Sequence, residues 1–280
     1  MKKKDDIVDV LMCVGPQDIN SLFVYSTISC FKNFENIGKL FIVSPQKRLL
    51  QQKLKEFEFY SRCEFLEDSD ILSKDLMKED GWYRQQIIKL SAHKFCQTKL
   101  IGSLCSDTVI LKKISLSDFV DYTSLPIIFY RMHKEKNPHS LYEKERIKHI
   151  CKSLGIPGKK SLEYYDFIID FKICETEILK ELNLYLEAAY GPNYFKAISP
   201  GKCKTLKNKV AMAEWTLYGA YVADIYSEKR TFKGYYDDFI TQVHSANDYD
   251  EFSYASKIVH FVNKNLNFHD IKSKLENVLK

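Results

Sequence analysis

LIGSLCSDTVILKK, residues 100 to 113, decides how the rest of the chain is read. An apolar run meets the short segment Cys105, Ser106, Asp107, and a second apolar run follows. This is the pattern of a buried strand that delivers a carboxylate to its end. A carboxylate with apolar sequence on both flanks needs a partner, because an isolated buried charge is costly. Asp107 is therefore a candidate functional acid, and the question it raises is whether Cys105 stands where a second acid of a metal-binding pair would be.

Working outward, IVDVLMCVG (7 to 15), KLFIVSP (39 to 45) and RCEFLED (62 to 68) also read as strands. Between them, Leu22, Tyr25, Ile28 and Phe31 fall close to helical spacing, and KRLLQQKLKEFEFY is a charged helix. Strands alternating with helices predict an α/β fold, a mainly parallel central sheet flanked by helices, with ligands beyond the carboxyl ends of the strands. PIIFY (126 to 130) is a fifth strand, and Pro126 suits its first position or an edge. A helix opens at Asn137 and Pro138 and stops at Gly155. YYDFIIDF (164 to 171) reads as a strand, and CETEILKELNLYLEAAYG and MAEWTLYGAYVADIY as helices, so the second half is more helical. The tail, HDIKSKLENVLK, has the spacing of an amphipathic helix docked on its own domain. With no internal repeat and no Pro/Gly/Ser-rich linker, the 280 residues read as one continuous domain.

Composition bounds the function. The chain is long enough to bury a substantial core, and its 45% hydrophobic and 14% aromatic content is that of a globular protein. Its 42 basic and 37 acidic residues leave a net charge of +5, spread along the chain, which favours anionic ligands without the clustered basic stripe of a nucleic-acid-binding protein. No apolar run reaches the ~18 residues of a membrane span, and no signal segment opens the chain, so the cytoplasm is the expected location. Eight cysteines are scattered singly with no C-x-x-C pair, which argues against both a disulfide framework and a structural zinc site. The seven histidines show no H-E-x-x-H spacing and read as structural or exposed.

Three constellations can carry chemistry. In GWYRQQIIKLSAHKF, helical spacing puts Trp82, Gln85, Gln86, Lys89 and His93 on one face and Ile88, Ala92 and Phe95 on another. Two amides and an ammonium offer hydrogen bonds for hydroxyls and a charge for phosphate, although a solvated polar face has the same spacing. Asp18 follows the first strand, Glu67, Asp68 and Asp70 the third, and Asp107 the fourth, so a parallel sheet gathers them along one edge. Carboxylates there can bind a divalent cation, hold a ribose or act as bases; equally, Asp18 can cap a helix and the acids after the third strand can form a charged turn. In AEWTLYGAY, Glu214 is a lone acid in an apolar helix with Tyr218 one turn on and Gly219 allowing close approach, a setting that suits proton transfer or a plain helix boundary.

Taken together, CVGPQDI, STISCFKNFENIGKLFIVSP, EFLEDSD, GWYRQQIIKL, LIGSLCSDTVILKK, PHSLY, DFIIDFKICETEILKEL and EWTLYGAY resemble, in this order, a bacterial family of glycosyltransferase-like proteins with a GT-A-like fold. That family shows W-x-x-Q-Q-x-x-K-L shortly before a strand ending in D-x-D, and the resemblance covers about residues 6 to 220. It implies one GT-A-like domain over 1–280, with a nucleotide-sugar-binding half at 1–125 and an acceptor-side half at 126–280 that carries a C-terminal helical extension. It implies transfer of a sugar from a nucleotide-sugar donor to a glycan acceptor, as in bacterial surface polysaccharide or lipopolysaccharide synthesis, at the inner face of the membrane where the acceptor is lipid-linked. Carried over residue by residue, Asp18, Trp82, Gln85, Gln86, Lys89 and Asp107 fall on the donor side, and Glu214 and Asp170 are the catalytic candidates.

Two positions depart from the family pattern. Cys105 replaces the first acid of D-x-D, and Asp170 stands where the family's F-I-x-H pattern has histidine. Manganese and magnesium prefer oxygen to sulfur, so Cys105 is a poor ligand and leaves three readings open: a cation held by Asp107 and diphosphate oxygens alone, its replacement by Lys89, Arg84 or another basic residue, or a relative that binds a nucleotide or glycan without turnover.

Overall fold

The computed structural model describes residues 7–19, 22–130, 138–164, 167–198, 213–234, 239–243, 256–261 and 268–279. The chain runs β1 (Val8–Cys13), α1 (Phe23–Asn33), β2 (Ile37–Val43), α2 (Lys47–Leu54), β3 (Cys63–Leu66), the one-turn α3 (Asp68–Ile71), α4 (Gly81–Leu90), β4 (Leu100–Leu104) and β5 (Thr108–Ile110). It continues through β6 (Ile128–Tyr130), α5 (Pro138–Leu154), α6 (Ser161–Tyr164), β7 (Phe171–Glu175), α7 (Thr176–Tyr190), α8 (Tyr194–Ala197), α9 (Glu214–Ile225), β8 (Phe232–Gly234), β9 (Ile240–Val243), β10 (Ile258–Phe261) and α10 (Phe268–Leu279). Asn137, Cys203, His133 and His244 lie outside the described residues, as does the lysine-rich start. The described chain divides into two units that alternate along the sequence, one of Met1–Phe119, Asp170–Ile173 and Tyr236–Lys280, the other of Val120–Ile169 and Cys174–Tyr235.

The first unit is built on a five-stranded sheet of order β3-β2-β1-β4-β7. β1 pairs in parallel with both β2 and β4, and β2 with β3, as the alternation of strands and helices predicts. Every residue of β1 is buried, the pattern of a central parallel strand covered on both faces. Its one charge, Asp9, is accommodated because its carboxylate accepts the backbone N–H groups of Lys39 and Gln97, each at 3.0 Å. The fifth strand is β7 rather than PIIFY, and it runs backwards: Cys105 N at the end of β4 donates to Asp170 O at the start of β7, at 3.1 Å. The strand expected from residue 164 thus begins only at Phe171. Glycine at position 102 makes room for it, since a Cβ there would meet Val10 at 3.1 Å and the Phe171 ring at 3.2 Å.

A second sheet, β5-β10-β9, belongs to the same unit. β10 lies antiparallel to β5 with His260 opposite Thr108, and parallel to β9. Because side chains alternate across a strand, Val109, Leu111, Val259 and Phe261 share one face and close a core with Leu22, Ile271 and Leu275, while Thr108 and His260 share the other. The tail helix α10 therefore does dock on its own domain, and Tyr25 of α1 donates to its Glu276 at 3.0 Å.

In the second unit β6 pairs with β8 in a separate two-stranded ladder. Residues 214 to 223 of α9 are buried on every side, which suits a helix that is apolar all round. Gly219 presses against Phe167: a Cβ there would fall 2.3 Å from the ring, so the close approach anticipated at this glycine is real. Helix α5 stops at Gly155, whose φ of +62° is the left-handed conformation that glycine adopts without strain.

Candidate active site at the end of strand four

The strand order reverses at β1, where β2 and β3 extend the sheet on one side and β4 joins on the other, so a topological switch point lies between β1 and β4. Open α/β sheets bind ligands in the crevice beyond the carboxyl ends of such strands. Here the crevice is lined by Asp18, on the turn after β1, and by Cys105, Ser106 and Asp107, on the turn after β4. The Ser106 hydroxyl donates to Asp18 Oδ2 at 3.1 Å and joins the two sides.

The CSD segment is a tight turn, closed by Thr108 N donating to Cys105 O at 3.1 Å, that passes the chain from one sheet to the other. Its backbone is tied on three further sides. Ser26 Oγ donates to Cys105 O at 3.2 Å, Cys105 N donates to Asp170 O, and Phe261 N donates to Asp107 O at 3.0 Å. Asp170 reaches this edge although it begins a strand, because β7 is reversed.

His260 Nδ1 lies 3.3 Å from Asp107 Oδ1, 3.4 Å from Asp170 Oδ1 and 3.0 Å from Thr108 Oγ1. Burial opposes the charge on Asp107, but the hydrogen bond and charge of His260, a backbone hydrogen bond and the nearby Lys89 ammonium outweigh it, so its carboxyl sits below the usual carboxylate range. The half-buried Asp107 and buried Asp170 thus share one imidazole as their common partner.

Other expected residues fall out differently. Helix α4 starts where Asp80 accepts Tyr83 N at 3.0 Å, and it ends at Leu90, so His93 lies beyond it on a short 3-10 turn. The polar face of this helix is not solvated: Gln86 and Lys89 are buried, Gln86 Nε2 donates to Trp82 O at 3.3 Å, and Gln85 is half-buried, while Trp82 is exposed. Among the acids after β3, Glu67 and Asp70 cap each other's backbone at the start of α3, and Asp68 forms a buried ion pair with Arg84 Nε at 3.3 Å. For these three the structural reading holds. Glu214 is buried at the first turn of α9, in the second unit.

His260 was not singled out by the sequence reading, since it has no motif spacing. Its one signal is that it interrupts an apolar strand, IVHF, whose other members are all buried.

Among the described residues no group of three or more His, Cys, Asp or Glu side chains is placed to hold a metal ion. At the strand end the donors are carboxylates already paired with an imidazole, plus the half-exposed thiol of Cys105, which is not the oxygen-rich set that magnesium or manganese takes. The seven described cysteines are all free thiols. Among the described residues no helix is long and apolar enough to cross a membrane.

The fold is shared with glycosyltransferases. The apo structure of the bifunctional glycosyltransferase WbbM superposes with a TM-score of 0.53 at 10% identity, over 98% of this chain and 50% of that one, so the chain spans half the length of WbbM. The apo crystal structure of mouse xyloside xylosyltransferase 1 also matches, with a TM-score of 0.46 at 14% identity over 91% of this chain and 98% of that one. The architecture, a mostly parallel sheet flanked by helices, is thus the GT-A-like fold. No protein of curated function is similar to the chain in sequence. The sequence model of a family of unknown function, DUF6492, matches residues 18–274, and the chain belongs to that family.

Proposed function

We propose that this protein is a glycosyltransferase that moves a sugar from a nucleotide-sugar donor to a glycan acceptor, in bacterial surface polysaccharide or lipopolysaccharide assembly. The observation that carries the reading is the cluster of Asp107, Asp170 and His260, with Lys89 close by, at the switch-point edge of a GT-A-like sheet. The donor lies over the ends of β1 and β4. Asp18 faces its nucleoside side, Gln85, Gln86 and Trp82 line its approach, and Lys89 and His260 balance the diphosphate charge beside Asp107. The acceptor-side half at 126–280 supplies Glu214, and Asp170 is the second acid of the acceptor side. The work is done in the cytoplasm, at the inner face of the membrane when the acceptor is lipid-linked.

In the reaction the acceptor hydroxyl oxygen bonds to the anomeric carbon, and the bond from that carbon to the diphosphate oxygen breaks. The electron pair leaves with the nucleoside diphosphate, and the hydroxyl proton passes to a carboxylate base, Asp170. Positive groups fixed beside the leaving diphosphate stabilise the charge that develops there.

The test is calorimetry with a panel of nucleoside diphosphates, paired with a donor-hydrolysis assay on the corresponding nucleotide sugars. Asp107→Ala is expected to lower donor turnover at least about a hundredfold, the scale of losing one preorganised electrostatic group. Unchanged turnover in that variant would remove Asp107 from the site. The Cys105 substitution motivates one rival, a domain that binds a nucleotide and does not turn it over; binding without hydrolysis across the whole panel would establish it.

A further inference from the structure

We propose that Ser106 and Thr108, the two hydroxyls flanking Asp107, are positioning residues of this site, Ser106 for Asp18 and Thr108 for His260. The inference rests on the glycosyltransferase reading for its ligand, but its geometry stands on the chain alone. Both residues are buried, at 5% and 0% exposure, where alanine or valine would fill the space as well. What those residues could not supply is the hydroxyl, and each hydroxyl is spent on an ionisable group of the site.

Thr108 owes its role to the register. It is the cross-strand partner of His260 in the β5–β10 ladder, so the two side chains leave the same face directly opposite one another. Its Oγ1 lies 3.0 Å from Nδ1, the same nitrogen that approaches Asp107 and Asp170. An imidazole flipped about its ring axis would turn a carbon toward the two carboxylates, and the Thr108 contact is lost in that flip as well. Thr108 therefore fixes which edge of the ring the acids meet. Ser106 acts across the switch-point crevice. Its oxygen comes from the turn after β4 and its acceptor from the turn after β1, so one 3.1 Å bond sets the separation of the two sides. Hydrogen bonds to charged groups are the stronger class, which makes the Ser106 contact with the Asp18 carboxylate worth more than a neutral pair.

The experiment is a pair of double-mutant cycles read by calorimetry with nucleoside diphosphates, joined to imidazole nitrogen shifts of His260 by NMR. Thr108→Val is expected to weaken nucleoside diphosphate binding about tenfold, and Thr108→Ser to restore it, because the serine keeps the oxygen. The variant with both Thr108→Val and His260→Ala should bind no more weakly than His260→Ala alone, since a residue that acts through another has nothing left to position. Ser106→Ala and Asp18→Ala should show the same non-additivity. Independently of any ligand, the His260 ring nitrogens should shift in Thr108→Val and return in Thr108→Ser. Additive losses, or a His260 spectrum unmoved by Thr108→Val, would overturn the proposal. A wild-type chain that binds no nucleoside diphosphate while its His260 shifts respond as described would instead sink the function reading and leave the positioning geometry standing.

Discussion

Asp107 keeps its charge in a half-buried place because an imidazole and an ammonium are aimed at it, and this has a measurable consequence in acid. A carboxyl whose folded pKa lies below its unfolded value of about 3.9 contributes stability that is fully present above that value and is lost as pH falls through the lower folded one. Asp107→Asn removes the contribution, so the fall in urea midpoint between neutral and strongly acid pH should be shallower in the variant than in the wild type. A parallel fall in both would place the acid sensitivity elsewhere. At this scale Asp107 was legible because apolar sequence on both flanks announces a carboxylate in need of a partner. The partner was not, since His260 lies 153 positions away and only the ladder between β5 and β10 brings it near. The burial of Gln86 and Lys89 was hidden for a related reason: helical spacing says which residues share a face, not what covers it.

At the scale of elements, one glycine and one tail helix carry the packing. Gly219→Ala would place a methyl 2.3 Å from a rigid phenyl ring, well inside contact distance, and overpacking of this kind costs about 3 kcal/mol. Urea unfolding should register that loss, and a change below about 0.5 kcal/mol would mean that Phe167 can step aside. Leu275→Ala opens a cavity in the cluster that α10 forms with β5 and β10, for about 3 kcal/mol, and should also weaken nucleoside diphosphate binding, because Phe261 in the same cluster holds the Asp107 carbonyl. Intact binding in a destabilised Leu275→Ala would show that the ladder holds without its helix. The first four strands and the long helices were readable because hydrophobic period and turn residues are local signals. PIIFY was readable as a strand and not as the partner of β8, and β7 could not be recognised as reversed, because direction and partner are fixed by contacts distant in sequence.

For the whole molecule, Asp18, Asp107, Asp170 and His260 all belong to the first unit, which collects residues from both ends of the chain. Hydrogen exchange with a bound nucleoside diphosphate should slow together around residues 105–108 and 258–261, and protection of the first segment alone would argue that the β5–β10 ladder is not part of the site. The α/β class and the parallel sheet were legible as a repeating pattern, whereas the return of 236–280 to the first unit leaves no such trace. That return has a consequence for how the protein is made. As the chain leaves the ribosome, β1 to β4 can assemble early, but β5 must wait for β10, almost 150 residues later, with its edge open. The imidazole of His260 arrives with that last strand, so a chain released short of residue 260 would carry Asp107 and Asp170 without the side chain that both of them meet.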